Sequence, residues 1–196
     1  MGNYPAKEEE ELITAVLKAG VWRFGESTSA AGKPMNNWFD MPLALKNEHT
    51  RQLLVPALAR LALRGRPDAL WGVPEGGQIF AEEVAEDLGL PVIMLKAFRI
   101  SGGPKQFRLL RREDEKLAQE AADLVGVEDV VNEGGSVWSA LQVPLIREKT
   151  KRIVACMIRG DLQYSFDIPI SGVMEELVPN EIRAMHPFYS KYGRYA

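Results

Sequence analysis

The sequence predicts an α/β protein with a mostly parallel sheet flanked by helices. Apolar segments of strand length alternate with amphipathic segments of helical length between about residues 47 and 158. This alternation is typical of β–α–β units, in which a helix returns the chain so that successive strands run parallel. The 196 residues fit a single domain over residues 1–196. We divide it into a core of about residues 46–160 and a small lobe formed by about residues 1–45 together with the C-terminal segment.

The predicted elements before residue 90 begin with a short amphipathic helix, residues 7–19, which Gly20 ends. A turn-rich stretch with two short strands follows. The next helix, residues 47–64, has Asn47 at its start, where an Asn side chain accepts a hydrogen bond from the first turn. A buried strand and a helix that ends at Gly89 complete this half. The two short strands, the buried strand and the last helix span Val21–Phe24, Asn37–Met41, Ala69–Val73 and residues 77–88.

After residue 90 the pattern predicts three more strands and one more long helix. Residues 99–112 are basic and indicate a loop or a hairpin, and residues 113–121 are compatible with a helix or a loop. Parallel sheets bind ligands at the carboxyl ends of their strands, so the loops after Val73, Leu95 and Val131 are the places to search for a site. The three strands span Pro91–Leu95, Leu124–Val131 and Ile153–Ile158, and the helix spans residues 136–149.

Composition narrows the class of protein. The formal net charge of −3 argues against a protein that coats nucleic acid. Cys156 is the only cysteine, so the chain can form neither an intramolecular disulfide nor a cysteine-based zinc cluster. The acidic N-terminus lacks the layout of a secretory signal, and no apolar stretch approaches the ~20 residues that a membrane helix needs. We therefore expect a cytoplasmic protein.

The segment from Leu124 to Val137 has the most informative functional pattern. Apolar residues lead into two adjacent acids, Glu128 and Asp129, and a loop with paired glycines follows. Glycines let backbone N–H groups converge on a phosphate, and the N-terminus of the next helix adds its positive dipole end. Carboxylates at a strand end accept hydrogen bonds from ribose hydroxyls, directly or through a hydrated magnesium ion. The pattern fits a phosphorylated sugar, and the alternative is a plain strand–turn–helix connection with solvated acids.

This segment resembles the signature of type I phosphoribosyltransferases. The resemblance implies that Glu128 and Asp129 hold the ribose hydroxyls, and that they contact a Mg²⁺ ion held mainly by the ligand. It implies that the next loop binds the 5′-phosphate; that loop comprises Asn132, Glu133, Gly134, Gly135 and Ser136. Asn132 and Glu133 stand where orotate-type members usually have Thr followed by Thr or Ala. A charge ~4 Å from a phosphate costs about 4 kcal/mol per opposing charge at an effective dielectric near 20, so Glu133 must turn outward or the ligand has changed.

The turn after Val73 is similar to the diphosphate loop of the same family. There the backbone N–H groups of Glu75, Gly76 and Gly77 would contact the diphosphate. A Gly-Gly turn before a helix is also a common connection without function, so the position of this turn in the strand order supports the assignment more than its composition does.

Residues 25–40 are similar to the N-terminal element of the orotate-type members. This resemblance implies that Lys33 lies near the substrate and that Trp38 or Phe39 stacks on a planar base. Without it, the two aromatic residues would be assigned to the core. It is this element that favours orotate over a purine base.

The stretch from Leu95 to Lys105 corresponds to the catalytic loop of orotate-type members. The resemblance gives Lys96 and Arg99 a catalytic role beside Asp129. Leu95 and Ser101 stand where an Arg and a His are usual, which reduces the positive charge around the departing diphosphate.

The resemblance implies an enzyme of pyrimidine nucleotide biosynthesis that uses phosphoribosyl diphosphate and a nucleobase, most simply orotate. It also implies a Mg²⁺ cofactor and a homodimer, with neither nucleic acid nor membrane as a partner. Two alternatives stay open: a non-catalytic or weakened nucleotide-binding regulator on the same fold, and a transferase for another base.

Overall fold

The computed structural model describes residues 6–28, 34–100, 105–159, 162 and 164–175. In chain order, the elements of the first half are α1 (Ala6–Lys18), β1 (Trp22–Thr28), β2 (Pro34–Phe39), α2 (Pro42–Leu45), α3 (Glu48–Ala62), β3 (Ala69–Gly72) and α4 (Gly76–Leu88). Those of the second half are β4 (Val92–Ile93), β5 (Leu95–Phe98), β6 (Gln106–Leu109), α5 (Arg112–Glu120), β7 (Leu124–Val131), α6 (Gly135–Ala140), α7 (Pro144–Lys149), β8 (Thr150–Ile158) and β9 (Ile170–Glu175). Lys33, Ser101 and the segment after Glu175 lie outside the described residues.

The central sheet is parallel, as the sequence predicts, and has five strands in the order β4–β3–β7–β8–β9. The chain first builds outward from β3 to β4 and then returns to add β7 on the other side of β3. The strand order therefore reverses between β3 and β7. Neighbouring helices start on opposite faces at such a point and leave a crevice at the carboxyl ends of the two strands.

Several predicted elements are confirmed and a few are wrong. The strand Leu124–Val131 has its predicted bounds, and Asn47 caps α3 by accepting a hydrogen bond from Thr50 N at 3.0 Å. The predicted helix over residues 136–149 is two helices, because Pro144 has no N–H to continue the first and starts the second. β9 was not predicted, since Ser171 and Gly172 interrupt its apolar residues.

The predicted strand Pro91–Leu95 also divides in two. Val92 and Ile93 pair with β3, whereas Leu95 starts a separate antiparallel hairpin of β5 with β6. The buried carboxylate of Asp114 accepts a hydrogen bond from Met94 N at 3.0 Å and fixes the chain where it leaves the sheet. Only the second strand of this hairpin, β6, lies in the basic segment of residues 99–112, and the ambiguous segment that follows is the helix α5.

Helices cover both faces of the sheet. One apolar cluster lies between the sheet and helices α1, α3 and α4, and the second lies between the sheet and α5, α6 and α7. Cys156 is buried in the first cluster, as expected for a thiol that packs as a small apolar side chain. Within the described ranges, every helix is too short or too polar to cross a lipid bilayer.

Three strands of the sheet are joined through one buried indole. Trp71 on β3 donates from Nε1 to Thr150 Oγ1 on β8 at 3.0 Å, so its ring must cross β7. Gly126 on β7 makes room for it: a methyl group there would lie 2.6 Å from Trp71 Cζ2 and 3.1 Å from Ile153 Cγ1. This packing ties β3 to β8 across the amino-terminal half of β7.

We expect Gly126→Ala to lower the free energy of unfolding by about 1–3 kcal/mol, the usual cost of overpacking a close-packed core. Urea denaturation followed by circular dichroism measures it. Trp71→Phe shortens the ring and should recover part of the loss in the Gly126→Ala background, so the two changes should be non-additive. Equal stability of Gly126→Ala and the wild type would show that the indole does not need this space.

Candidate functional site

The two adjacent acids lie at the carboxyl end of β7, beside the reversal of strand order. Glu128 is buried, with 6% of its surface exposed, and Asp129 is half-buried. Asp129 Oδ1 accepts a hydrogen bond from Val130 N at 2.8 Å, which fixes its side chain at the strand end. The predicted ribose-binding acids thus lie at the edge where parallel sheets bind ligands, and their role stays a prediction.

The turn between β3 and α4 lies directly against these acids. Any Cβ on Gly76 would overlap the Asp129 carboxylate, and one on Gly77 would overlap Glu128 Oε2 and the Val127 carbonyl. The paired glycines are therefore needed here for close approach of backbone to carboxylate. The structure thus joins two segments that the sequence analysis assigned to separate parts of one ligand, although they are more than fifty residues apart.

Burial makes the acid pair unusually costly to ionise. It raises the pKa of Glu128 well above its usual range, and the charge of Asp129 adds to the effect. Burial also raises the pKa of Asp129, to which the nearby charge of Asp40 contributes. A ligand that supplies hydroxyl donors, or a cation, would offset this cost.

Lys105 is a functional candidate that the sequence analysis missed. Its Nζ donates to the carbonyl of Pro74, in the turn between β3 and α4, at 2.9 Å. Its positive charge lowers the pKa of Glu128 and of Asp129, against the effect of burial. No local pattern identifies it, because it meets the site through contacts across the fold.

The N-terminal hairpin reaches the same edge of the sheet. Phe39 at the end of β2 stacks on Trp22 with ring centroids 5.6 Å apart, and the guanidinium of Arg159 lies over the Phe39 ring at 5.5 Å. Successive side chains of a strand point to opposite faces, so Trp38 lies on the other side of this hairpin. Of the two predicted base-stacking residues, Phe39 is thus the one beside Arg159.

Arg159 was also missed by the sequence analysis. It directly follows β8, and its N donates to the Val131 carbonyl at 2.7 Å, which holds it at the carboxyl end of the sheet. An Arg directly after a strand does not by itself indicate a functional residue, because nothing in the local sequence distinguishes it from an Arg that is merely solvated.

The predicted phosphate loop, residues 132–136, follows β7. Gly134 has φ +86° and cannot carry a side chain without strain, and the rings of Phe166 and Tyr164 pack on Gly134 and Gly135. The next helix, α6, has only six residues, so its dipole adds less than a long helix would. Asn132 is exposed, while Glu133 and Ser136 are partly exposed. The phosphate-binding role of the loop stays a prediction.

Lys96 and Arg99, the predicted catalytic cations, are both exposed on the hairpin of β5 and β6. Lys96 pairs in register with Arg108 across the hairpin, and Arg99 lies just before the undescribed residues 101–104. Leu95, where the family usually has an Arg, is buried in the core with 2% of its surface exposed.

The site also fits a magnesium ion of the kind that a ligand carries. The described part of the chain holds no cluster of three or more acidic, His or Cys side chains that could form a protein-only metal cage. Mg²⁺ bound to phosphorylated substrates keeps several waters and takes only one or two carboxylates from the protein. Glu128 and Asp129 provide such a pair.

Comparisons with known proteins agree with the resemblance. No family model matches the chain. Curated relatives named orotate phosphoribosyltransferase, from Methanosarcina acetivorans and Methanosarcina mazei, are 29% identical over 144 residues, which cover 72% of this chain and 73% of each relative. The crystal structure of orotate phosphoribosyltransferase from Aeropyrum pernix superposes with a TM-score of 0.66 at 19% identity and covers 89% of this chain and 97% of that one.

An adenine phosphoribosyltransferase from Thermoanaerobacter pseudethanolicus has the same fold at a TM-score of 0.56 and 16% identity, covering 86% of this chain and 99% of that one. The chain therefore has the type I phosphoribosyltransferase fold, and the resemblance predicted from its sequence is confirmed.

We expect Glu128→Gln to stabilise the protein at neutral pH while weakening the binding of ribose 5-phosphate. A carboxyl with a raised folded-state pKa binds its proton more tightly in the folded state, so wild-type stability falls as the pH rises above about 4. Glutamine removes this fall, which amounts to about 1.4 kcal/mol for each pKa unit of the shift. Denaturation between acidic and neutral pH measures the first effect, and calorimetric titration measures the second.

The exposed Glu148 on α7 supplies the matched control, since Glu148→Gln makes the same chemical change away from the crevice. A stability gain that does not vary with pH, or ribose 5-phosphate affinity equal to that of the wild type, would contradict the role given to Glu128.

Proposed function

We propose that this chain transfers ribose 5-phosphate from phosphoribosyl diphosphate to orotate and releases diphosphate, as a pentosyltransferase of pyrimidine nucleotide biosynthesis. The observation that carries the proposal is the contact of Glu128 and Asp129 with the paired glycines at the reversal of strand order. The name shared by the two curated relatives supports the same activity.

The arrangement of the site fits the transfer of a ribosyl group. The bond between the anomeric carbon and the diphosphate oxygen breaks and the diphosphate leaves with the electron pair. The bond from the base nitrogen to the anomeric carbon forms, and the nitrogen's proton passes to solvent. The transition state carries positive charge on the ribose ring, so positioning and charge stabilisation supply most of the catalysis.

Each part of the substrate has a place in this scheme. Glu128 and Asp129 accept hydrogen bonds from the ribose hydroxyls and place their negative charge next to the ring that becomes cationic. The backbone N–H groups of Glu75, Gly76 and Gly77 bind the diphosphate. Residues 132–136 bind the 5′-phosphate, with Glu133 contributing its backbone and not its carboxylate.

Glu128 and Asp129 would also hold the Mg²⁺ ion, which neutralises charge on the departing diphosphate when it is bound. Lys96 and Arg99 remain proposed catalytic cations of the hairpin. A homodimer and a cytoplasmic location, both implied by the resemblance, are parts of the same proposal.

The contact between Arg159 and Phe39 favours an anionic base. Orotate is a planar pyrimidine that carries a carboxylate, whereas adenine and the other purine bases are neutral. A guanidinium binds a carboxylate through two parallel hydrogen bonds, and Phe39 holds the Arg159 guanidinium beside the predicted base site. This arrangement gives a physical reason to prefer orotate over the other bases.

Diphosphate release from phosphoribosyl diphosphate tests the proposed activity directly. We expect release with orotate and magnesium, and much less with uracil, adenine, guanine or hypoxanthine. Release with none of the bases would contradict the enzyme and would favour the regulatory alternative. Release only with a purine would contradict the choice of orotate.

We expect Arg159→Gln to abolish discrimination between orotidine 5′-phosphate and uridine 5′-phosphate, two nucleotides that differ only in the base carboxylate. Orotidine 5′-phosphate should bind the variant at least about tenfold more weakly, a loss of ~1.4 kcal/mol, because one charge-assisted pair is removed. Uridine 5′-phosphate should bind within about twofold of its wild-type affinity. Fluorescence or calorimetric titration measures both.

Arg147→Gln on the exposed face of α7 is the matched control and should leave both affinities unchanged. Equal weakening of the two nucleotides by Arg159→Gln would mean that Arg159 supports the fold of the site and does not read the carboxylate.

A further inference from the structure

One lysine of the hairpin of β5 and β6, Lys105, contacts the turn that follows β3. Lys105 immediately precedes β6 and is partly buried, in contrast to the exposed Lys96 on the other strand. Its ammonium lies 5.4 Å from the centroid of the buried Phe107 ring, so an apolar surface supports the side chain from one side. The side chain is therefore held in place before any ligand arrives.

The ammonium group of Lys105 donates a hydrogen bond to this turn. The Pro74 carbonyl that accepts its hydrogen bond belongs to the peptide group joining Pro74 to Glu75, the first residue of the proposed diphosphate loop. An ammonium has three N–H donors, and this bond uses one. Two N–H donors therefore remain for other acceptors beside this turn.

A cation at this position would offset the acidic side chains around the turn. Asp40 acts on Asp129 and Asp129 acts on Glu128, and any negative charge on these carboxyl groups opposes the approach of a diphosphate. The charge of Lys105 acts on both Glu128 and Asp129, which shows that it lies within electrostatic reach of the pair. The buried side chain of Leu95, in the position where the family usually carries an Arg, cannot provide this charge.

We propose that Lys105 binds the diphosphate group of the substrate at the turn between β3 and α4 and stabilises the charge that develops as the diphosphate departs. This inference rests on the proposed function and extends it to a residue outside the predicted catalytic set. Lys105, which immediately precedes the second strand of the hairpin, would supply part of the positive charge that Leu95 cannot provide.

Binding of inorganic diphosphate tests the inference without any nucleobase. In calorimetric titrations with magnesium present, Lys105→Met should weaken inorganic diphosphate by about tenfold or more, because the aliphatic part of the side chain stays and only the charge is lost. Ribose 5-phosphate should bind within about twofold of the wild type, since its phosphate and hydroxyls meet other residues. Lys105→Arg, which keeps the charge, should retain most of the diphosphate affinity.

The matched control is Lys151→Met, which removes an exposed lysine at the amino end of β8, the opposite edge of the sheet. Retained binding of ribose 5-phosphate shows that the Lys105 variants fold. Because no turnover is measured, a chain inactive with every base still answers the question, so failure of the proposed function and failure of this inference are distinguishable. Diphosphate affinity of Lys105→Met within twofold of the wild type, or equal loss of both ligands, would overturn the inference.

Discussion

The close contact between two carboxylates and two glycines is the constraint on which the rest of the site depends. Asp129 approaches Gly76, and Glu128 approaches Gly77, so closely that a Cβ at either glycine would overlap a carboxylate. The contact is possible only because β3 and β7 are parallel neighbours whose carboxyl ends meet at the reversal of strand order. The fold therefore brings the turn proposed to bind the diphosphate next to the acids proposed to bind the ribose.

This contact has a cost that the remaining structure offsets. Burial of adjacent carboxyl groups disfavours their charged forms, and protonation, a ligand that donates hydrogen bonds or a nearby cation each offsets that cost. The two apolar clusters and the indole of Trp71 hold the strands firmly enough to keep such a pair in place. Carboxyl groups with raised pKa values, concentrated at one edge of a stable sheet, are typical of a binding site.

Sequence reasoning predicted the parts of the fold and site that are local. The strand before the acids, the acids themselves and the glycine turns are each readable within about ten residues, because strand burial and turn chemistry are local properties. Lys105 and Arg159 were missed because their roles arise from contacts with Pro74 and Phe39, which lie far away in the chain. The long helix predicted after β7 was wrong for a local reason, the break at Pro144, to which the prediction gave too little weight.

The account's central claim is that one crevice, between β3 and β7, holds the whole of a phosphoribosyl diphosphate molecule. A crystal structure of the protein with phosphoribosyl diphosphate and magnesium tests it most directly. The claim predicts ribose hydroxyls on Glu128 and Asp129, the diphosphate on the turn at Gly76, and the 5′-phosphate on the loop after β7. A ligand bound elsewhere, or one whose 5′-phosphate occupies the turn at Gly76, would contradict it.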